Sequence, residues 1–416
     1  MTYRDILPNG IKVITEPLDH LHSVTTGVWS TVGSVYEREQ FAGVSHFLEH
    51  MMFKGTPTRS SREISETLDA VGGQLNAFTS KEHTCYYAKC LAEDFALSLD
   101  LLSDMYLHST FDEQEFLKEQ KVILEEIKMY QDSPDDVASE QMIRHLWAQH
   151  PYGRPIIGSE KSVGEMNRDD LYRYYLQQYR PHQTIISVAG NVTHQQVLQE
   201  VKRCFGDFQG ESNSTPLPQL TAHGGQAYTY RDIEQTHLCL GVPGLHETHA
   251  DFSAATLLSA ALGGGASSRL FQEAREKRGL AYAIYSYHCG YLLGGYFLSY
   301  ASTRPQNVQE IVPVILEQMA EIREKGVTEE ELQRLKQQFK GSMLLGLENT
   351  SNVMNRLARM EMIWGRLRSV EESVAALLAV TTNDIKRVAG ELFQADKVIL
   401  SLVGKKEKTF DFKQYI

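Results

Sequence analysis

The sequence predicts an α+β fold made of two copies of one domain. Three observations carry that expectation. A chain of 416 residues with 42% hydrophobic and 23% charged content calls for two or three globular domains with sizeable cores. The stretch Gln209-Gly210-Glu211-Ser212-Asn213-Ser214-Thr215-Pro216-Leu217-Pro218 is polar, proline-bearing and aperiodic, as an interdomain linker is. After it the order of elements recurs, and setting Gly73 on Gly279 places the copies 206 residues apart. The expected division is a first domain over 1–209, a linker over 210–224 and a second domain over 225–416.

Taken in order, Leu7-Pro8-Asn9-Gly10 is a turn leading into a strand through Ile14, and Val24 to Val32 is a strand in which Gly27 and Gly33 mark bends or close approaches. That strand feeds a helix containing Ser45-His46-Phe47-Leu48-Glu49-His50-Met51. Ser60-Ser61-Arg62-Glu63 is a capping box for a helix that Gly72-Gly73 ends, and Gln74 to Ser80 begins a pair of strands. Helices are expected from about Asp94 to His108, Asp112 to Gln131 and Asp136 to Gln149, closed by the loop His150-Pro151-Tyr152-Gly153-Arg154-Pro155. A helix from Asp169 to Tyr179, a strand from Thr184 to Ala189 and a helix from His194 to Phe205 complete the first copy. The second has a strand near Leu238 to Val242, a helix from Ala250 to Leu262, a capped helix from Ser268 to Lys277 and a strand pair from Ala281 to Ser302. Long helices from Gln306 to Glu324 and Thr328 to Leu347 follow, and a last strand covers Lys397 to Val403.

Within this frame one helix carries the chemistry. At about 100° per residue, His46 and His50 stand about 40° apart on one face with Glu49 beside them. Two neutral imidazoles one turn apart can hold a single zinc ion, and a neighbouring carboxylate that is not a ligand can take a proton from an activated water. His-x-x-Glu-His is the inverted order of the commoner zinc protease motif. The alternative is a pair of incidental histidines on a core helix, so a third ligand is needed to decide.

The helix of Asp112 to Gln131 offers Glu113, Glu115, Glu119, Glu125 and Glu126. Phe116, Ile123, Ile127 and Tyr130 mark its buried face, and Glu125 shares the solvent face with Lys118, Lys121 and Lys128. Glu126 and Glu119 lie two turns apart on the edge of the buried face, where a carboxylate is costly unless paired or bound to metal. Glu126 is the better ligand candidate, and Glu119 belongs behind it, orienting a histidine or water. His83 and His108 are discounted because neither shares a helical face with a second histidine. On the 206-residue register His46, Glu49 and His50 fall opposite Phe252, Ala255 and Thr256, so the second copy is expected to hold no metal.

Composition limits the partners. With 41 basic and 53 acidic residues the net charge is −12, which disfavours nucleic acid and mildly favours cationic substrates. Cys85, Cys90, Cys204, Cys239 and Cys289 are scattered, odd in number and without a Cys-x-x-Cys pair, the usage of free thiols in a reducing compartment. No apolar run approaches the roughly 20 residues of a membrane span, and the start leaves no room for a signal peptide. No nucleic-acid or membrane partner is expected, and the expected location is the cytoplasm.

His46-Phe47-Leu48-Glu49-His50-Met51-x-Phe53-Lys54-Gly55-Thr56, with Glu126 76 positions after His50, resembles the inverted-motif zinc peptidases that include pitrilysin, insulysin and mitochondrial processing peptidase. The likeness continues through Gly72-Gly73-x-x-Asn76-Ala77-x-Thr79-Ser80 and into Ser268-Arg269-Leu270-Phe271, Arg275 and Tyr282. It implies one zinc per chain held by His46, His50 and Glu126, Glu49 as general base, and Glu119 as the family's additional glutamate. It also implies that the Asn76-Ala77 strand is an edge to which an extended substrate peptide adds, and that Arg275 and Tyr282 contact substrate and polarise the scissile carbonyl. The length resembles the short two-domain, processing-peptidase-like members, whose mainly antiparallel sheets packed with helices form half of a clamshell. The resulting expectation is a metalloendopeptidase that cleaves peptides or unfolded segments, working as a homodimer whose sites are completed in trans. The short run Gly263-Gly264-Gly265 departs from the long glycine loop of the noncatalytic mitochondrial subunit. A noncatalytic core or scaffold subunit of the same fold is the rival expectation, and a small-molecule metal hydrolase is a third.

Overall fold

The computed structural model describes residues 1–211, 216–405 and 412. Ser212 to Thr215 of the expected linker, and 406–411 and 413–416 of the expected second domain, lie outside the described residues. The first half runs β1 (Tyr3–Ile6), β2 (Lys12–Pro17), β3 (Ser23–Ser30), α1 (Val44–Met51), α2 (Ser61–Asp69), β4 (Gln74–Thr79), β5 (Thr84–Leu91), α3 (Phe95–His108), α4 (Glu113–Asp132), α5 (Pro134–Leu146), α6 (Glu160–Glu165), α7 (Arg168–Gln178), β6 (Thr184–Gly190) and α8 (His194–Phe205). The second runs β7 (Gly225–Tyr230), β8 (Thr236–Gly244), α9 (Phe252–Gly263), a π-helical segment Phe271–Lys277, β9 (Ala281–Gly290) and β10 (Gly295–Thr303). It continues through α10 (Val308–Lys325), α11 (Glu329–Gly346), α12 (Thr350–Trp364), α13 (Val370–Ala379), α14 (Thr382–Leu392) and β11 (Ile399–Gly404).

The duplication is explicit in the strand order. The six-stranded sheet runs β1-β2-β6-β3-β5-β4 and the five-stranded sheet β7-β11-β8-β10-β9. Apart from the extra β1, each position in one has its counterpart in the other. The hydrogen-bonding sense matches as well: β2 with β6 and β11 with β7 are the parallel pairs, and the remaining neighbours are antiparallel. This is an α+β architecture, with each sheet covered by helices. The offset between matching elements varies, from 213 residues at Lys12 and Gly225 to 207 at Gln74 and Ala281 and 216 at Pro134 and Thr350, so loop lengths differ between the copies.

The compact units are discontinuous, unlike the single cut expected between 209 and 225. One comprises Met1–Lys128, Arg154–Leu217 and Leu344–Leu367, the other Met129–Gly153, Pro218–Met343 and Arg368–Ile416. The cause is a reciprocal exchange of the repeat-related helices α5 and α12. In the first unit, Val353, Met354, Leu357 and Ala358 of α12 pack on Ile14, Trp29, Ile185 and Ala189, the sheet face opposite the main core. Gly27 makes room, since a Cβ there would lie 2.4 Å from the Met354 sulfur. Glu361, 1% exposed on the same helix, takes Arg4 at 2.7 Å and Lys12 at 3.1 Å, which ties β1 and β2 to it. In the second unit Met142 of α5 fills the space over Gly241.

The main core of the first unit joins the inner face of the sheet to α1, α3, α4, α7 and α8 through residues such as Val28, Phe47, Leu99, Met105, Phe116, Tyr175 and Val201. Burying such side chains stabilises each by about 1.5–3 kcal/mol relative to exposure. The second unit has an equivalent core of Leu240, Leu257, Leu258, Phe297, Ile311, Ile315 and Val388. The expected capped helix from Ser268 is instead the π-helical segment, and its N-terminus has no side-chain cap bond. Among the described residues no helix is long and apolar enough to cross a membrane.

Candidate metal centre

The helix α1, which carries His46, Glu49 and His50, is only eight residues long, and its surroundings determine where it points. Gly43 precedes it at φ 96, a left-handed conformation that L side chains avoid. A Cβ at Gly43 would also lie 2.6 Å from the Ile157 carbonyl oxygen. Val44, Phe47, Leu48 and Met51 turn inward. The Phe47 ring stacks on Phe116 of α4 with centroids 4.5 Å apart, so an apolar contact sets α4 beside α1. That leaves His46, Glu49 and His50 on the other face of α1, next to the carboxylates of α4.

His46, His50 and Glu126 form the one group of metal-ligating side chains found among the described residues, with donor atoms all within 4.8 Å of one another. Glu126 Oε2 stands 3.9 Å from His46 Nε2 and 3.7 Å from His50 Nε2. Those gaps are too wide for hydrogen bonds. A tetrahedral zinc ion with ligands at about 2.0–2.2 Å spreads its donors roughly 3.4 Å apart, close to what is seen. Burial, aided by the neighbouring His50, pushes the His46 imidazole down to about 4 and favours the neutral form that binds metal. The residues therefore fit a zinc ion.

The two imidazoles are held differently. His50 Nδ1 lies 3.0 Å from Glu119 Oε2, which puts the proton on Nδ1 and leaves Nε2 free to coordinate. Lys54 Nζ reaches the other Glu119 oxygen at 2.5 Å. Burial works to raise the Glu119 carboxyl, but the hydrogen bonds from His50 and Lys54 outweigh it and hold the group below the ordinary range. His46 Nδ1, by contrast, is buried with no hydrogen-bond partner among the described residues.

Glu49 stands outside the metal-ligating group and accepts a 2.5 Å hydrogen bond from the Thr79 hydroxyl at the end of β4. Burial raises its pKa, opposed by Thr79 and His50 and reinforced by Glu126. A carboxyl raised in this way suits proton transfer near neutral pH. Among the described residues the strand β4 pairs with β5 alone and so presents an open edge, carrying Asn76 and Ala77. There Asn76 Oδ1 accepts the Ala77 N–H at 2.8 Å, occupying one main-chain donor of the strand.

Arg275 and Tyr282 belong to the second unit and are paired with each other. The Arg275 guanidinium lies 4.7 Å from the Phe271 ring centroid and 5.0 Å from that of Tyr282, and its Nη1 donates to the Tyr282 carbonyl at 2.8 Å. Tyr282 is 75% exposed, and Arg275 sits in the π-helical segment, a geometry often found at functional positions. The rival ligand His83 is enclosed by Trp29 and Phe78 and takes no part in the metal-ligating group.

Sequence reasoning assigned no role to Lys54, Thr79 or Glu37. The first two stand in the motifs quoted above, but their partners are on other elements. Glu37 carries no spacing signal at all. It is 5% exposed, and its carboxylate accepts the Gly43 and Ser45 N–H groups, each at 2.8 Å. Burial pushes it up to about 7 against the pull of those bonds and of Arg154.

Residues 12–160 match the family model described as insulinase, peptidase family M16, and residues 165–339 match the model described as the peptidase M16 inactive domain. The protein of Bacillus subtilis named uncharacterized zinc protease YmxG is 41% identical over 95% of this chain and 97% of its own. An uncharacterized zinc protease of Streptomyces coelicolor is 38% identical over 96% and 89%. A protease from Helicobacter pylori superposes with a TM-score of 0.92 at 25% identity, covering 97% of this chain and 99% of that one. A peptidase M16 inactive domain from Pseudomonas fluorescens gives the same TM-score at 19% identity, covering 99% and 100%, a likeness of fold. With both halves matched and relatives named as zinc proteases along its length, the chain belongs to peptidase family M16.

Proposed function

We propose that this protein is a zinc-dependent endopeptidase that hydrolyses peptides or unfolded polypeptide segments in the manner of a processing peptidase. The observation that carries the reading is the convergence of His46, His50 and Glu126 with Glu49 beside them and outside the ligand group. Bound zinc would supply a Lewis acid and lower the pKa of a water. Glu49 would take a proton from the attacking water as the water's oxygen adds to the scissile carbonyl, and would return that proton to the leaving amine as the C–N bond breaks. Tyr282 and Arg275 are assigned to the developing oxyanion. An extended peptide adds to the edge of β4, which requires the Asn76 side chain to release the Ala77 N–H.

We further propose a homodimer in which Arg275 and Tyr282 of one chain serve the metal site of the other. The support is that one chain carries both sets of residues, while among the described residues the metal-ligating group lies in the first copy. The five free cysteines favour a reducing compartment, and we assign the protein to the cytoplasm.

The test is metal content together with cleavage of a quenched peptide library. Wild type is expected to hold one zinc per chain and to cleave, and Glu49→Gln to keep the metal and lose about 10²–10⁴ in rate. Unchanged turnover in Glu49→Gln would overturn the mechanism, and purified protein without metal or activity would favour the noncatalytic subunit. Mixing Glu49→Gln with Tyr282→Phe chains is expected to restore activity once subunits exchange, and exchange without recovery would exclude sharing in trans.

A further inference from the structure

We propose that Glu37 is a positioning residue of the metal centre, holding the N-terminus of α1 so that His46 faces Glu126. The inference rests on the metal-binding reading above. Both imidazole ligands project from an eight-residue helix, a length at which a helix has little stability of its own. Its first N–H groups have no partner within the helix, and Gly43 has no side chain to cap them. Glu37 fills that role from outside. Oε2 accepts from Gly43 and Oε1 from Ser45, so one carboxylate uses both oxygens on two N–H groups flanking Val44.

The anchor is itself fixed. The Glu37 carbonyl accepts from Arg154 Nη2 at 2.9 Å, and the Lys81 amine in turn donates to the Arg154 carbonyl. Ser45, the residue before His46, pairs its hydroxyl with Tyr174 at 2.9 Å. This support matters more for one ligand than for the other. His50 has Glu119 on its ring and is oriented directly. Among the described residues His46 has nothing on Nδ1, so its direction depends on the helix backbone and on whatever fixes that backbone.

Glu37→Gln keeps the shape but has one acceptor oxygen where two N–H groups need partners, and it sets an NH₂ against the other. The test titrates zinc and cobalt(II) into metal-free wild type, Glu37→Gln and Glu361→Gln. Glu361 is another buried glutamate of the same unit, remote in role from the histidines. Expected for Glu37→Gln is a zinc dissociation constant raised about tenfold or more and a shifted cobalt d–d spectrum at saturation. Glu361→Gln is expected to lower Tm while leaving both metal readouts at wild-type values. Glu37→Asp keeps the charge but shortens the reach, and gives a smaller rise in the same direction even where the glutamine variant fails to fold. Wild-type affinity and spectrum in folded Glu37→Gln, or wild-type affinity in Glu37→Asp, would overturn the inference alone. Absence of metal binding in wild type would overturn it together with the proposed function.

Discussion

The two units share a strand order but have used the same helix pair differently. Counted from the helix starts, His46, Glu49 and His50 of α1 correspond to Ala254, Leu257 and Leu258 of α9. All three counterparts are buried, at 2%, 0% and 0% exposure. Counted the same way, Glu119 and Glu126 of α4 correspond to Leu335 and Ser342 of α11, with Leu335 in the second core. One copy leaves a polar gap between two helices, and at the corresponding positions the other places Ala254, Leu257, Leu258 and Leu335 in its core and leaves Ser342 exposed. The fold itself does not require the gap, because the second core is complete without it. The proposed metal ligation is therefore a feature placed on the scaffold, and its cost in unburied apolar surface falls on the first unit alone.

Matched substitutions can break that comparison. The largest effect is expected from His50→Ala, which removes one of three ligands. Zinc affinity should fall by more than the roughly 100-fold upper range for loss of an outer partner, with little change in thermal stability, as metal titration and calorimetry of the metal-free protein would record. Its counterpart Leu258→Ala should do the reverse. A fully buried leucine lost from the core costs about 2–5 kcal/mol, read by urea unfolding, while zinc affinity is unchanged. Smaller again, Glu119→Gln weakens zinc by about 10–100-fold because the amide is a poorer partner for His50 Nδ1 and for Lys54. A fall in zinc affinity with Leu258→Ala as large as with Glu119→Gln would mean that the two helix pairs are not independent.

The parts legible in the sequence were those encoded locally. The His46 and His50 pair is one helical turn, Glu126 stands out on the wheel of α4, and the capping box of Ser60 and Glu63 forms as spaced. The repeat was visible, but an ungapped offset of 206 ignores the differing loop lengths and sets His46 two residues away from its helix-start counterpart. Features that depend on chain-distant packing were not legible. The stripe Val353, Met354, Leu357 and Ala358 has helical spacing, yet nothing local says which sheet it covers. The edge strand β1 is exposed along its length and has no alternation to reveal it. Glu37 lies between two short 3₁₀ segments, Ser34–Tyr36 and Glu39–Phe41, and reaches α1 only because the chain turns back through the second, so no spacing rule links it to His46.

The central claim is that metal binds in the first unit at His46, His50 and Glu126 and not in its repeat. An anomalous difference map recorded at the zinc edge on crystals of the wild-type protein tests it most directly. The account predicts a single peak per chain, within coordination distance of His46 Nε2, His50 Nε2 and a Glu126 oxygen. A peak ligated by other residues, or a zinc-loaded crystal with no peak at these three, would contradict it.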